Sequence, residues 1–166
     1  LLFSQLDFDF IAESLLPIQY EKTEDGRLHV GEMAYDVVIV PGCETLRSTT
    51  VSCLKEYRLA GGDLLFLGAA TELVDAVPDE EGKALYENSR SAGFSRSELV
   101  RALEDYREVE LRSENGSLAD HLLYQMRQDS DGRWLFVVNG KKTVNKDIPT
   151  EENITFRLKG LWEVWE

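Results

Sequence analysis

Two apolar runs dominate the hydrophobic pattern of this chain. Tyr35-Asp36-Val37-Val38-Ile39-Val40 is stopped by Pro41-Gly42, and Asp63-Leu64-Leu65-Phe66-Leu67 is stopped by Gly68. Neither run alternates with polar residues, which predicts strands buried on both faces, as in the middle of a parallel sheet. Between them, Ser48 stands where an N-cap belongs for a helix through Ala60. Its inner stripe reads Val51, Leu54 and Tyr57 or Arg58, and Gly61-Gly62 supplies a positive-φ stop. Strand, helix, Gly-Gly and strand make a βαβ unit with an expected right-handed crossover.

The flanking pattern is less regular. Asp7 is placed to cap a first helix with Phe8, Ile11, Ala12 and Leu15 at helical spacing, and Pro17 marks its end. Ile18–Tyr20 and Leu28–Val30 flank the turn-like Thr23-Glu24-Asp25-Gly26, a strand, turn and strand. Thr71–Ala76 predicts a short helix, and the acidic, Gly-containing Pro78–Arg90 a surface excursion. Ser95-Arg96-Ser97-Glu98 is a capping-box pattern ahead of Leu99, Leu103 and Tyr106, which predicts a helix over Arg96–Tyr106; Val109–Leu111 follows as a brief strand. From Ala119 the character changes. His121–Gln128 and Arg133–Val138 are strand-like around Asp129-Ser130-Asp131-Gly132, Asn139-Gly140 is a second turn signal, and Ile154–Leu158 alternates. The expected fold is therefore α/β over residues 1–118, a parallel sheet flanked by helices, with an antiparallel β tail over 119–166.

Composition narrows the function classes. Hydrophobic residues at 43% and charged residues at 30% give a globular balance. Lys+Arg of 18 against Asp+Glu of 31 leaves a net charge of −13, which repels phosphate backbones and anionic membranes, so no nucleic-acid or membrane partner is expected. No apolar run approaches the roughly 20 residues that span a bilayer. Two Cys make no disulfide framework and two His do not assemble a zinc site, so the expectation is a reducing, cytoplasmic compartment with no metal and no cofactor. The chain opens at Leu1-Leu2-Phe3 without an initiator Met or a basic n-region, and ends on Leu161-Trp162-Glu163-Val164-Trp165-Glu166. Such an aromatic end needs something to pack against, which points to a segment of a longer protein or to a terminal strand docking on its own domain.

Candidate chemistry gathers at the strand ends, where open α/β sheets bind ligands. The candidate pocket comprises Cys43, Glu44 and Thr45 after one strand with Gly68, Thr71 and Glu72 after the other. Cys43 is the obvious nucleophile for a small Cys-dependent amidase or hydrolase, but such an enzyme needs a base, and neither His29 nor His121 sits in a motif that brings it there. The plainer reading is a small residue at a strand end, and Cys53, inside the helix, reads as packing. Glu44 and Glu72 could approach each other, as glycosidase carboxylates must, although so acidic a chain produces such pairs by abundance. The glycines form no phosphate loop. Trp134, Trp162 and Trp165 could offer ring faces to sugars, as a carbohydrate-binding module would, against the favoured reading as core or interface. No catalytic residue is assigned.

Leu6-Asp7-Phe8-Asp9-Phe10-Ile11, His29-Val30-Gly31-Glu32-Met33-Ala34-Tyr35-Asp36-Val37-Val38-Ile39-Val40-Pro41 and Ala60-Gly61-Gly62-Asp63-Leu64-Leu65-Phe66-Leu67-Gly68 resemble a known kind of domain. It is the class I glutamine-amidotransferase-like (flavodoxin-like) domain found downstream of the catalytic barrel in large bacterial glycoside hydrolases. Relatives are the trimerisation domain of family-42 β-galactosidases and the corresponding region of rhamnosidase-like, family-106-type proteins. The resemblance covers about residues 6–75. Leu123–Gln128, Trp134–Asn139 and Leu161–Trp165 further resemble the strands by which such hydrolases pass into a following β-sandwich. Active amidotransferases carry the nucleophilic Cys on an elbow after the strand that here reads Leu64–Leu67, and that alignment places Gly68 there. No His-x-Glu pair completes a triad. The resemblance thus implies a non-catalytic structural or oligomerisation domain of a carbohydrate-metabolising hydrolase. Its partners would be other domains of the same parent chain or further copies of itself.

Overall fold

The computed structural model describes residues 1–141 and 151–160. The architecture is α/β, with helices and parallel strands, and the chain divides into two compact units: Phe10–Ala102, and Leu1–Asp9 together with the chain from Leu103 onward. The sequence pattern placed its change of character near residue 119, whereas the units divide at Ala102/Leu103. The N-terminal residues contact the later part of the chain, a long-range pairing that no local pattern encodes.

In Phe10–Ala102, α1 (Leu16–Gln19) leads into an antiparallel meander of β1 (Tyr20–Glu24), β2 (Arg27–Val30) and β3 (Met33–Tyr35). The expected helix over Phe8–Leu15 does not form. Phe10 is 92% exposed, the Asp7 carboxylate accepts only from the adjacent Phe8 N–H (3.0 Å), and Pro17 lies in the first turn of α1. Pro17 starts a helix here instead of ending one, because the first turn needs no N–H from it. The Asp25-Gly26 turn has φ of 52° and 74°, the left-handed pair that a two-residue hairpin favours.

β4 (Val37–Val40) and β5 (Thr45–Leu46) precede α2 (Ser48–Leu59), then follow β6 (Asp63–Leu67), β7 (Leu73–Val74), β8 (Val77–Pro78), α3 (Glu80–Glu87), β9 (Arg90–Ala92) and α4 (Arg96–Ala102). β4, β6 and β9 form a parallel sheet in that order, with Val38 beside Leu64 and Val40 beside Phe66. These four residues share a core with Val51, Leu54 and Tyr57 of α2 and Leu85 of α3, so both crossover helices cover one face. β6 is the central strand, with Leu64, Leu65 and Phe66 at most 1% exposed. β4, expected in the middle, is an edge strand whose Val37, Val38 and Ile39 are only half-buried.

Two further expectations are corrected. Thr71–Ala76 is not helical: β7 and β8 form a tight hairpin around Asp75-Ala76, whose φ values are 49° and 64°. The Asp75 carboxylate accepts from the Ser48 N–H (3.1 Å) and Glu13 accepts from the Arg47 N–H (2.8 Å). α2 is thus capped by two remote acids at its positive end, not by the Ser48 hydroxyl. Pro78–Arg90 holds α3, capped where Asp79 accepts from the Glu81 N–H (2.6 Å). The α2 stop forms at the expected glycines. Gly61 has φ +88°, and a Cβ at Gly62 would lie 2.1 Å from the Tyr57 ring.

In the other unit, β10 (Val109–Ser113) pairs antiparallel with β13 (Ile154–Leu158), and β11 (Leu122–Gln128) with β12 (Arg133–Asn139). Val109, Leu111 and Ala119 form the buried centre. Gln5, fully buried in a left-handed conformation (φ 56°), closes it. Its side-chain amide donates to the Leu111 and Ala119 carbonyls (2.9 and 3.2 Å) and accepts from the Leu111 N–H (2.7 Å). Arg107 donates to the Ser4 and Gln5 carbonyls (2.6 and 3.2 Å) and forks onto Glu104 (2.9 and 3.0 Å). No helix among the described residues is long and apolar enough to cross a membrane.

Removing the Gln5 amide strands a buried N–H in the absence of water. Gln5→Ala is expected to cost roughly 2–4 kcal/mol in urea unfolding, and an unchanged midpoint would remove Gln5 from its central role. A second expectation concerns Tyr124. Burial first, then the Asp7 and Glu108 carboxylates, push its phenol up to about 12. The folded state holds this proton above the ordinary value of 10.0, so the stability it links to is complete below that value and falls as the pH rises toward about 12. Spectrophotometric titration should find a late-ionising tyrosine phase, and Tyr124→Phe should reduce its amplitude.

Candidate functional site

The carboxyl ends of β4 and β6 enclose a crevice of about 400 Å3, lined by Gly42, Cys43, Glu44, Ala69, Ala70, Glu72 and Leu73. The sheet register builds it. β5 and β7 run parallel with Thr45 beside Leu73, and the Leu73 N–H donates to the Glu44 carbonyl (3.1 Å), so Glu44 and Glu72 stand at adjoining positions one residue earlier. Both carboxylate residues are exposed.

Below this rim, Thr71 is 1% exposed, and its hydroxyl donates to the Cys43 carbonyl (3.2 Å). The half-buried Cys43 Sγ lies 3.7 Å from the same hydroxyl oxygen. That hydroxyl proton is committed to the carbonyl, so the oxygen is left to accept from the thiol. Gly68 turns the chain at the end of β6 with φ +85°; its N–H donates to Ala92 (2.8 Å), and its carbonyl accepts from the Tyr86 hydroxyl (3.3 Å). Tyr86 is itself held edge-on against Phe66, with ring centroids 5.3 Å apart. Phe94, 71% exposed, lies over this corner, and a Cβ at Gly42 or Gly68 would come 3.6 Å from its side chain.

Of the residues expected at this site, Cys43, Glu44 and Glu72 line the crevice and Thr71 supports Cys43. Gly68 precedes the lining Ala69-Ala70, and Thr45 turns elsewhere, accepting from the Ala76 N–H (3.0 Å). Sequence reasoning missed Phe94, because the strand before it, Arg90-Ser91-Ala92, carries no apolar pattern. No imidazole lines the crevice. His29 sits in the β1–β2–β3 meander, and His121, in the other unit, lies 3.0 Å from Glu152. Among the described residues no three His, Cys, Asp or Glu side chains converge as metal ligands. The crevice therefore offers carboxylate oxygens and backbone to a ligand, with no base positioned on the thiol. Trp162 and Trp165 lie outside the described residues.

Comparison with protein-family models, with curated proteins and with solved structures finds no match for this chain.

Two like charges at adjoining register positions repel. Glu72→Gln is expected to raise stability by about 0.2–1 kcal/mol, more at low ionic strength than at high. Thermal unfolding across a salt series measures this, and destabilisation would show that Glu72 is held by a favourable contact instead.

Proposed function

We propose that this chain is a non-catalytic structural domain of a larger carbohydrate-active protein, a glycoside hydrolase. It packs against other domains of its parent or mediates self-association in a reducing, cytoplasmic compartment. The observation that carries the reading is Gly68. At the strand-end elbow where the resembled amidotransferases hold their nucleophile, the backbone keeps a positive φ of 85°, and the residue has no side chain. The one thiol nearby, Cys43, meets a threonine hydroxyl where hydrolysis would require a base. The parallel β4–β6–β9 sheet with its crossover helices α2 and α3 is in keeping with an α/β fold, and the flavodoxin-like, amidotransferase-like form of it rests on the sequence resemblance. Both cysteines are free, in keeping with a reducing environment.

A docking role needs exposed apolar surface, and Phe10–Ala102 supplies it. Phe10 (92%), Ile11 (41%), Leu15 (45%) and Ile18 (78%) are exposed within one short stretch of chain. A strip of this kind is what an interface covers.

Sedimentation velocity with parallel activity assays tests the reading. The chain is expected to associate with rising concentration, F10S/I18S to return it to a monomer with unchanged circular dichroism, and Cys43→Ala to change nothing. Glutamine or amide turnover that is abolished by Cys43→Ala would overturn the proposal in favour of a Cys-dependent hydrolase.

A further inference from the structure

The β11–β12 hairpin presents apolar residues on both faces. Leu122, Tyr124, Met126, Leu135 and Val137 pack on the buried centre formed by Val109, Leu111 and Ala119. The opposite face pairs Leu123 with Val138, Gln125 with Phe136, and Arg127 with Trp134. On it Trp134 is 67% exposed, Phe136 65% and Val138 45%, where strand alternation normally places polar side chains. The indole is held in place: Trp134 Nε1 donates to Asp129 Oδ2 (3.1 Å), while Asp129 Oδ1 accepts from the Asp131 and Gly132 N–H groups of the turn (2.9 and 3.0 Å). Its polar edge is thereby spent inside the hairpin, and the ring face is what remains for contact. No side-chain hydrogen bond of Gln125 or Arg127 is formed among the described residues.

Area and charge decide what this strip fits. At 150–250 Å2 for a whole aromatic side chain, the exposed parts of Trp134, Phe136 and Val138 come to roughly 350 Å2. A standard protein interface takes about 800 Å2 per partner. The net charge of −13 further disfavours an anionic lipid surface. Trp134 and Phe136 stand two residues apart on one strand, their α-carbons about 7 Å from each other and their side chains on one face. Pyranose rings present apolar C–H faces ringed by hydroxyls, and each aromatic ring here has a polar side chain directly across the ladder, Gln125 beside Phe136 and Arg127 beside Trp134.

We propose that the outer face of the β11–β12 hairpin binds a neutral oligosaccharide, with sugar rings stacked on Trp134 and Phe136 and the hydroxyls hydrogen-bonded by Gln125 and Arg127. The site lies on a different unit from the Phe10–Ile18 strip and does not depend on the scaffold reading.

The test is calorimetric and fluorescence titration of the full chain with neutral β-linked gluco-, xylo- and galacto-hexaoses. At least one sugar is expected to bind with a change in indole emission. Trp134→Ala and Phe136→Ala should each weaken it about tenfold or more, Gln125→Ala and Arg127→Ala by several-fold, and W162F/W165F not at all. Trp134→Ala also breaks the contact with Asp129, so Phe136→Ala, with near-ultraviolet circular dichroism to verify folding, keeps the outcome interpretable. Failure of all three sugars to bind at millimolar concentration, or binding untouched by Phe136→Ala, overturns the proposal. So does self-association, or adsorption to neutral lipid vesicles, that Phe136→Ala abolishes.

Discussion

The unit built from both ends of the chain depends on one buried amide. Gln5 meets Leu111 as a neighbouring strand would, giving and taking a hydrogen bond at the same residue, and adds a bond to the Ala119 carbonyl. Its partners lie 106 and 114 residues away in sequence. Closing so long a loop has an entropic cost that grows only slowly with length, but it delays the contact in folding. The guanidinium of Arg107 secures the same corner through the Ser4 and Gln5 carbonyls, so a left-handed backbone at a non-glycine residue is held by bonds on both its main chain and its side chain.

In Phe10–Ala102 the organising constraint is the two-sided burial of β6, and what it positions is the crevice. Because β6 is central, the turn leaving it at Gly68 lies between the turns leaving β4 and β9, and Cys43, Glu72 and Phe94 come close although they are far apart in sequence. The acids of the crevice sit on its rim in water, and Thr71, deeply buried beneath it, donates its hydroxyl proton to the Cys43 carbonyl.

What could be read from sequence followed from local rules. The βαβ unit was legible because Val37–Val40, the Val51/Leu54/Tyr57 stripe and Gly61-Gly62 each carry their own signal, and these agree. α4 was legible from Ser95, whose hydroxyl accepts from the Glu98 N–H (3.3 Å), although the Glu98 carboxylate reaches Gly93 instead of closing the box. α3 starts soundly at Asp79-Glu80-Glu81, but its acidity and Gly82 give the same segment the local signature of a surface loop. The Phe8–Leu15 spacing matched a helix but had no core to face. Strand-end position located Cys43, Glu44 and Glu72. Phe94 and the pairing of β10 with β13 depend on register between distant segments, which spacing along the chain does not carry.

The paired glycines after α2 are there for unlike reasons, and that bears on which residues each site could accept over evolutionary time. Gly61 has open space around its α-carbon but a left-handed backbone, so asparagine is a natural replacement. Gly62 has an ordinary φ but lies flat against the Tyr57 ring, so even a methyl group is barred unless that tyrosine shrinks in concert. Drift at the first glycine should therefore be free of its surroundings, while drift at the second should be coupled to a residue one helical turn and more upstream.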